Sequence, residues 1–171
     1  MTTETITITR KEACELIRMY IGKPDGPKGE DLNKIVFAVN NDYQVRDFML
    51  GLPEYYDVQE IVNFLSHMSN EAPCGEDAPF ITVNAALAYE HDQLQDFFSQ
   101  VGYVATHRPD YSLNSMLMRC AKAHFPGEML GKMRGELAAI VMKSCYTDTP
   151  DKIITKLDSP DKLDSTQTTD V

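Results

Sequence analysis

Two places in this 171-residue chain hold residues whose types and spacing could do chemistry. Cys120 and His124 stand four apart in an apolar-periodic stretch, so a continuous helix would present both on one face. A thiolate and an imidazole nitrogen are both zinc ligands, but a closed site needs four ligands, and the spacing brings neither His107 nor Cys145 to the pair. A helix-end histidine beside a core cysteine explains the same two residues equally well. The second place is Glu90-His91-Asp92, with Asp96 one turn later. Carboxylates around an imidazole are the material of general acid–base catalysis. No nucleophile or oxyanion-stabilising group accompanies them, and they fall where two helical patterns meet, which favours a solvated turn. The chain has no Gly-x-Ser-x-Gly, His-Glu-x-x-His, EF-hand loop or dinucleotide fingerprint. The loop Gly22-Lys-Pro-Asp-Gly-Pro-Lys-Gly29 lacks the phosphate-loop spacing and reads as a connector. The balance leans against an enzyme, with no catalytic residue and no cofactor assigned.

The elements that must position these residues are helices. Phe80–Tyr89 is followed by Leu94–Thr106, which stops at His107-Arg108-Pro109; Leu113–Ala123 stops at His124-Phe125-Pro126. A histidine in a last turn suits the negative end of the helix dipole, and proline then forbids continuation. Upstream, Thr9 with Glu12 fits a capping box opening a helix that ends at Gly22. Further helices are expected over Asp31–Asn40, from Asp42 to Gly51, and from the cap Asp57 through Ser69. Inward positions in the later pair include Val83, Leu87, Leu94, Phe97 and Phe98.

The last helix, Gly127 to Cys145, carries two stripes. Leu130, Met133, Leu137, Ile140 and Val141 form an apolar one. Gly127, Gly131, Gly135, Ala138 and Ala139 form a small-residue one beside it. Glycine inside a helix costs about 1 kcal/mol relative to alanine. The pair Gly131 and Gly135 therefore implies a close helix crossing, within the monomer as the plainer reading, or at a homo-oligomer or partner surface. Met129, Met133 and Met142 suit either, because methionine fills gaps and makes adaptable binding faces.

Thr3–Thr9 reads as an extended arm docking through Ile6 and Ile8, with no second strand to pair with. After Tyr146 the composition turns to Asp, Ser, Thr and Lys, so 1–146 is expected to be one helical domain and 147–171 a disordered acidic tail. The four cysteines are scattered, which points to buried thiols and not to a disulfide framework. A net charge of −10, from 26 acidic and 16 basic residues, argues against direct nucleic-acid binding. No apolar run suits a membrane span and no secretion signal opens the chain, so a cytoplasmic location is expected.

Val45-Arg46-Asp47, Asn84-Ala-Ala-Leu-Ala-Tyr89 and Pro109-Asp-Tyr-Ser-Leu-Asn-Ser-Met-Leu117 together resemble a domain-of-unknown-function family common in actinobacteria and their phages. The resemblance runs from Val45 to Leu130. The family's Gly-Asp-Gly turn stands here as His91-Asp92-Gln93, and its small alanines in the following helix are replaced by Phe97, Gln100 and Val104. The helix pairs also look similar to tetratricopeptide repeats, with Ala85 and Pro109 suitably placed and Phe97 where alanine is usual. Neither resemblance implies an established activity or a functional residue.

The expectation is an all-α, irregular or tetratricopeptide-like stack of about seven helices. Its expected role is a non-enzymatic protein–protein interaction module, in line with a phage or mobile-element accessory protein. Candidate contacts to a partner protein are Tyr89, Glu90, Asp92, Asp96, Tyr111, Gly131 and Gly135. The rival readings are an acidic decoy that occupies a host enzyme's nucleic-acid site, and a small metal protein or enzyme using Cys120 and His124.

Overall fold

The computed structural model describes residues 5–157. The protein is all-helical. Eight α-helices follow one another: α1 Arg10–Tyr20, α2 Gly29–Asn41, α3 Tyr43–Gly51, α4 Val58–Glu71, α5 Ala78–Glu90, α6 Leu94–His107, α7 Ser112–Lys122 and α8 Gly127–Lys143. A 3₁₀ turn follows α3 and a π-helical turn, Ser144–Asp148, follows α8. The starts are set by side chains that satisfy orphan amides. Thr9 Oγ1 accepts from the Glu12 N–H at 3.2 Å while the Glu12 carboxylate accepts from the Thr9 N–H at 2.7 Å. Asp42 caps α3 and Asp57 caps α4 in the same manner.

Helix α5 is the axis of the fold. Ten of its 13 residues are buried, which is why its sequence is apolar on every side and not amphipathic. Ala85, Ala86 and Ala88 keep its girth small, so that α3, α4, α6, α7 and α8 all reach it. Helix α6 buries only Phe97, Val101 and Val104. Leu94 and Phe98, expected inward, are exposed instead, because α6 lies on the outside of α5 and offers it a single narrow stripe.

The domain does not stop at Tyr146. The chain turns back after α8 and runs beside the N-terminal arm, pairing Thr9 with Ile153 in an antiparallel bridge. The Ile154 N–H donates to the Ile8 carbonyl at 3.0 Å and the Arg10 N–H to the Lys152 carbonyl at 2.9 Å. Ile8 and Ile154 are both buried, and the Leu157 N–H reaches Asn41 Oδ1 at 2.9 Å. The arm does dock, and the polar segment after Tyr146 supplies the pairing partner that it was expected to lack. Composition hides this because one buried isoleucine and a few backbone bonds suffice to hold the segment. The remaining tail residues, 158–171, lie outside the described residues.

A buried ion pair ties these ends to the bundle. Arg10 Nε and Nη2 donate to the two oxygens of Asp42 at 2.9 and 3.2 Å, and both side chains are only 4% exposed. The third guanidinium nitrogen donates to Ser144 and Thr149. Beside it, Cys14 and Cys145 are buried free thiols, as expected; Cys120 is half-buried, and Cys74 is exposed in the loop before α5. The hydrogen bond between Cys14 and Cys145, together with burial, holds the Cys14 thiol well above its usual range, while the same bond lowers Cys145.

Candidate functional site

Helix α8 packs the opposite way round from what its amphipathic pattern suggests. Four members of its small-residue stripe, Gly127, Gly131, Gly135 and Ala138, are turned inward, while Ala139 is exposed. A Cβ on Gly127 would lie 2.7 Å from the Tyr89 carbonyl oxygen, and one on Gly131 would collide with the Glu90 carboxylate. A Cβ on Gly135 would come within 3.0 Å of the Glu54 carboxylate, and Ala138 abuts Gly51. The glycine pair therefore serves a crossing inside the monomer, and it makes room for carboxylates as well as backbones.

Those carboxylates converge on Arg134, one residue before Gly135. Arg134 Nε and Nη2 donate to Glu90 at 2.8 and 2.9 Å, a bidentate arrangement, and Nη1 donates to Glu54 at 3.2 Å and the Leu50 carbonyl at 3.3 Å. The guanidinium side chain is 9% exposed and Glu90 16%. Glu90 first, then Glu54, raises the Arg134 pKa above its usual value, so the guanidinium stays charged. One arginine thus bolts α8 across the ends of α3 and α5.

With its narrow side bolted down, α8 leaves the large stripe facing outward. Ile140 is 66% exposed and Met133 54%, and Leu130 and Leu137 are only partly covered. Val141 alone of the apolar stripe is buried. Helix α7 adds Met116, 39% exposed, on the far side. Between the two helices runs a groove of about 390 Å³ whose walls are these side chains and whose floor is Leu50, Ala86 and Leu117. Leu130, Met133, Leu137 and Ile140 recur with the alternating 3-4-3 spacing of a coiled-coil seam. Two methionines on opposite walls give the groove adaptable sides.

The turn that aims α7 at α8 is set by His124. It sits past the end of α7 with φ +51°, while the Phe125 N–H returns to the Cys120 carbonyl at 2.9 Å and the His124 N–H to Ala121 at 3.1 Å. This is a Schellman ending with histidine where glycine is the unstrained choice. His107, by contrast, does lie in the last turn of α6, its Nδ1 2.9 Å from the Tyr103 carbonyl oxygen. We expect His124→Gly to raise stability by about 1 kcal/mol, because a left-handed conformation costs a non-glycine residue roughly that much. Thermal melting checks it, and an unchanged or lower Tm would contradict this account of the turn.

The remaining sequence candidates divide. Asp92 and Asp96 are exposed, as a partner surface requires, with Asp92 holding a left-handed φ of +59° in the α5–α6 turn. Tyr89, Glu90 and Tyr111 are internal. The Tyr89 hydroxyl donates to the Phe125 carbonyl, and Glu90 belongs to the Arg134 clamp. Tyr111 is buried beneath Arg108, whose guanidinium lies 4.6 Å from its ring centre, and burial pushes its phenol up to about 12. The same phenol is close to the ion-paired Arg46 and Asp47, so the Val45-Arg46-Asp47 and Pro109–Leu117 stretches meet in one knot. Helix α7 ends at Lys122, before His124, so Cys120 and His124 do not share a helix face. Among the described residues no three His, Cys, Asp or Glu side chains gather as a metal site would require.

Sequence reasoning missed Arg134 and Met116. The signal for Arg134 was available: a cation directly before Gly135, on the stripe side of a helix that must pack closely. No helix among the described residues is long and apolar enough to cross a membrane. The chain matches no family model, no curated protein and no solved structure.

Proposed function

We propose that the protein is a non-enzymatic interaction module that seats an amphipathic helix of a partner protein in the α7–α8 groove. The observation that carries this reading is the reversed packing of α8. A folded chain gains by burying large apolar side chains at about 25 cal/mol per Å², yet α8 turns glycines to the core and leaves Met133 and Ile140 exposed. Contiguous exposed apolar surface of this kind marks binding sites. A two-helix groove with heptad-spaced walls fits a third helix, read through anchors at i, i+3/i+4 and i+7. A second copy of this chain is a poorer occupant. Antiparallel pairing of Leu130 with Ile140 and Met133 with Leu137 centres on Gly135 and sets Glu136 opposite Arg134 of the other copy, a guanidinium already held by Glu90 and Glu54, so that Glu136 gains no free cation. The occupant that fits presents a basic residue opposite Glu136 and apolar residues at heptad spacing.

Charge insertion on the seam separates binding from folding. Met133→Glu with Ile140→Glu is expected to change stability by less than about 1 kcal/mol, since both side chains are more than half exposed. In quantitative affinity capture read by mass spectrometry, the double variant should lose a partner that Asp92→Lys with Asp96→Lys retains. That binding should also survive high salt, as apolar docking does and a charge-driven decoy does not. Retention by the seam variant, or loss with the acidic-turn variant alone, would reject the groove.

A further inference from the structure

A second groove lies on the opposite side of α5, with different chemistry. Helix α4 and helix α6 form its walls and α5 its floor. One hollow of about 400 Å³ reaches from Ser66 to Tyr103, and a second of about 420 Å³ runs from Gln59 to Asp96. Asn84 on the floor and Gln100 on the wall line both, so the two form one continuous trough. From Ile81 to His91 the floor helix advances about 15 Å. That length matches four to five residues of extended chain at about 3.3 Å each.

Three features define what the trough would hold. The first is carboxamide chemistry. Gln100 Oε1 is buried and has no hydrogen-bond partner among the described residues. A buried acceptor left this way is unfavourable, and an N–H donor arriving from a ligand relieves it. Asn and Gln side chains carry one acceptor and two donors, the pattern that a peptide backbone presents in return. The second is charge: no lysine or arginine lines either hollow, Asp96 stands exposed at one end near His91, and the buried Asp77 in the other hollow is already engaged by the Tyr103 hydroxyl. The third is the apolar notch made by Val62 and Leu87, which an extended chain would fill with one of the side chains that point alternately to opposite faces. A sugar finds little to stack on, because the Tyr103 ring is already stacked on His107 at 4.1 Å and the small imidazole of His91 is the other ring present.

From this geometry we infer that the α4–α5–α6 trough binds an extended peptide segment, with Gln100 and Asn84 holding its backbone and Asp96 receiving a lysine or arginine side chain. The site is independent of the α7–α8 groove and stands whether or not that groove takes a helix.

The test uses the full chain and an immobilised library of acetylated pentapeptide amides in which lysine, arginine, serine, glutamate, valine and leucine are each placed at every position. Peptides retained should favour lysine or arginine over glutamate at one end by at least tenfold. Titrating a retained peptide should shift the side-chain amide resonances of Asn84 and Gln100. Gln100→Leu should weaken binding at least tenfold while raising the Tm, since it removes the unpartnered acceptor. Asp96→Lys, at an exposed position, should reverse the charge preference without altering the fold. The inference is overturned if no peptide is retained, if resonance shifts map to the α7–α8 groove instead, or if Gln100→Leu and Asp96→Lys bind as the parent does.

Discussion

Asp42→Ala should cost about 4–6 kcal/mol, the largest loss expected of any single substitution discussed for this chain. Removing one member of a buried ion pair typically costs about 3–5 kcal/mol, because the other charge stays buried without a counterion. Arg10 would be that charge, at 4% exposure. Asp42 also accepts from the Gln44 N–H at 2.9 Å, and losing a helix cap adds about 1 kcal/mol. Domain stabilities run from about 5 to 15 kcal/mol, so the variant stands close to unfolding at room temperature. Urea titration measures the loss, and amide exchange should show the Ile8–Arg10 and Lys152–Ile154 backbone bonds opening first. Pairing Arg10→Met with Asp42→Leu should recover most of the loss, because well-packed apolar replacements of buried ion pairs are often neutral. A loss below about 1.5 kcal/mol for Asp42→Ala would mean that the pair is not buried as described.

Arg134→Ala is expected to remove about 3 kcal/mol and to act on the groove as well. Glu90 would keep its partly buried position with no guanidinium to satisfy it, and the Leu50 carbonyl would lose a donor. Arg134→Lys should restore less than half of this, since an ammonium cannot reproduce the bidentate contact with Glu90. Helix α8 is held by that clamp and by glycine contacts, with only Ala138 and Val141 buried, so its release should spread the α7–α8 walls. Denaturant midpoints for the three forms, each carrying Cys74→Ser so that a thiol dye attaches at the half-buried Cys120, would report stability and helix position together. Equal midpoints for parent and Arg134→Ala would show that the clamp is decorative.

The fold was largely readable where local chemistry decides it. Thr9, Asp42 and Asp57 announce their helices because a cap needs only one side chain and the amides next to it. Pro109 and Pro126 mark the breaks after α6 and α7 for equally local reasons. What could not be read depends on neighbours distant in sequence. Arg10 reads as a surface residue until Asp42 is known to sit beside it. Leu94 and Phe98 follow the helical period, but α5 presents too narrow a surface to cover them. The segment after Tyr146 has a solvated composition, and Ile154 alone would have hinted that it returns. The two stripes of α8 were both visible. The close crossing of the glycine stripe inside the monomer is as expected. That the large stripe stays outward could not be read, because apolar size usually decides which face is buried, whereas here two glycines and Arg134 require the closer approach. Of the partner candidates, Asp92 and Asp96 stay on the surface, while Tyr89, Glu90, Tyr111, Gly131 and Gly135 serve the interior.

The proposed seating of another protein's helix on the exposed seam of α8 depends on what position 133 touches. It is tested most directly by placing a photo-crosslinking amino acid at position 133, irradiating cells that express the full chain, and sequencing the attached peptide. The account predicts one dominant peptide from a different protein, with apolar residues at i, i+3/i+4 and i+7 and a basic residue near the crosslink. Attachment to this chain's own α8, or a scatter of peptides no different from that given by the same amino acid at exposed position 63, would contradict it.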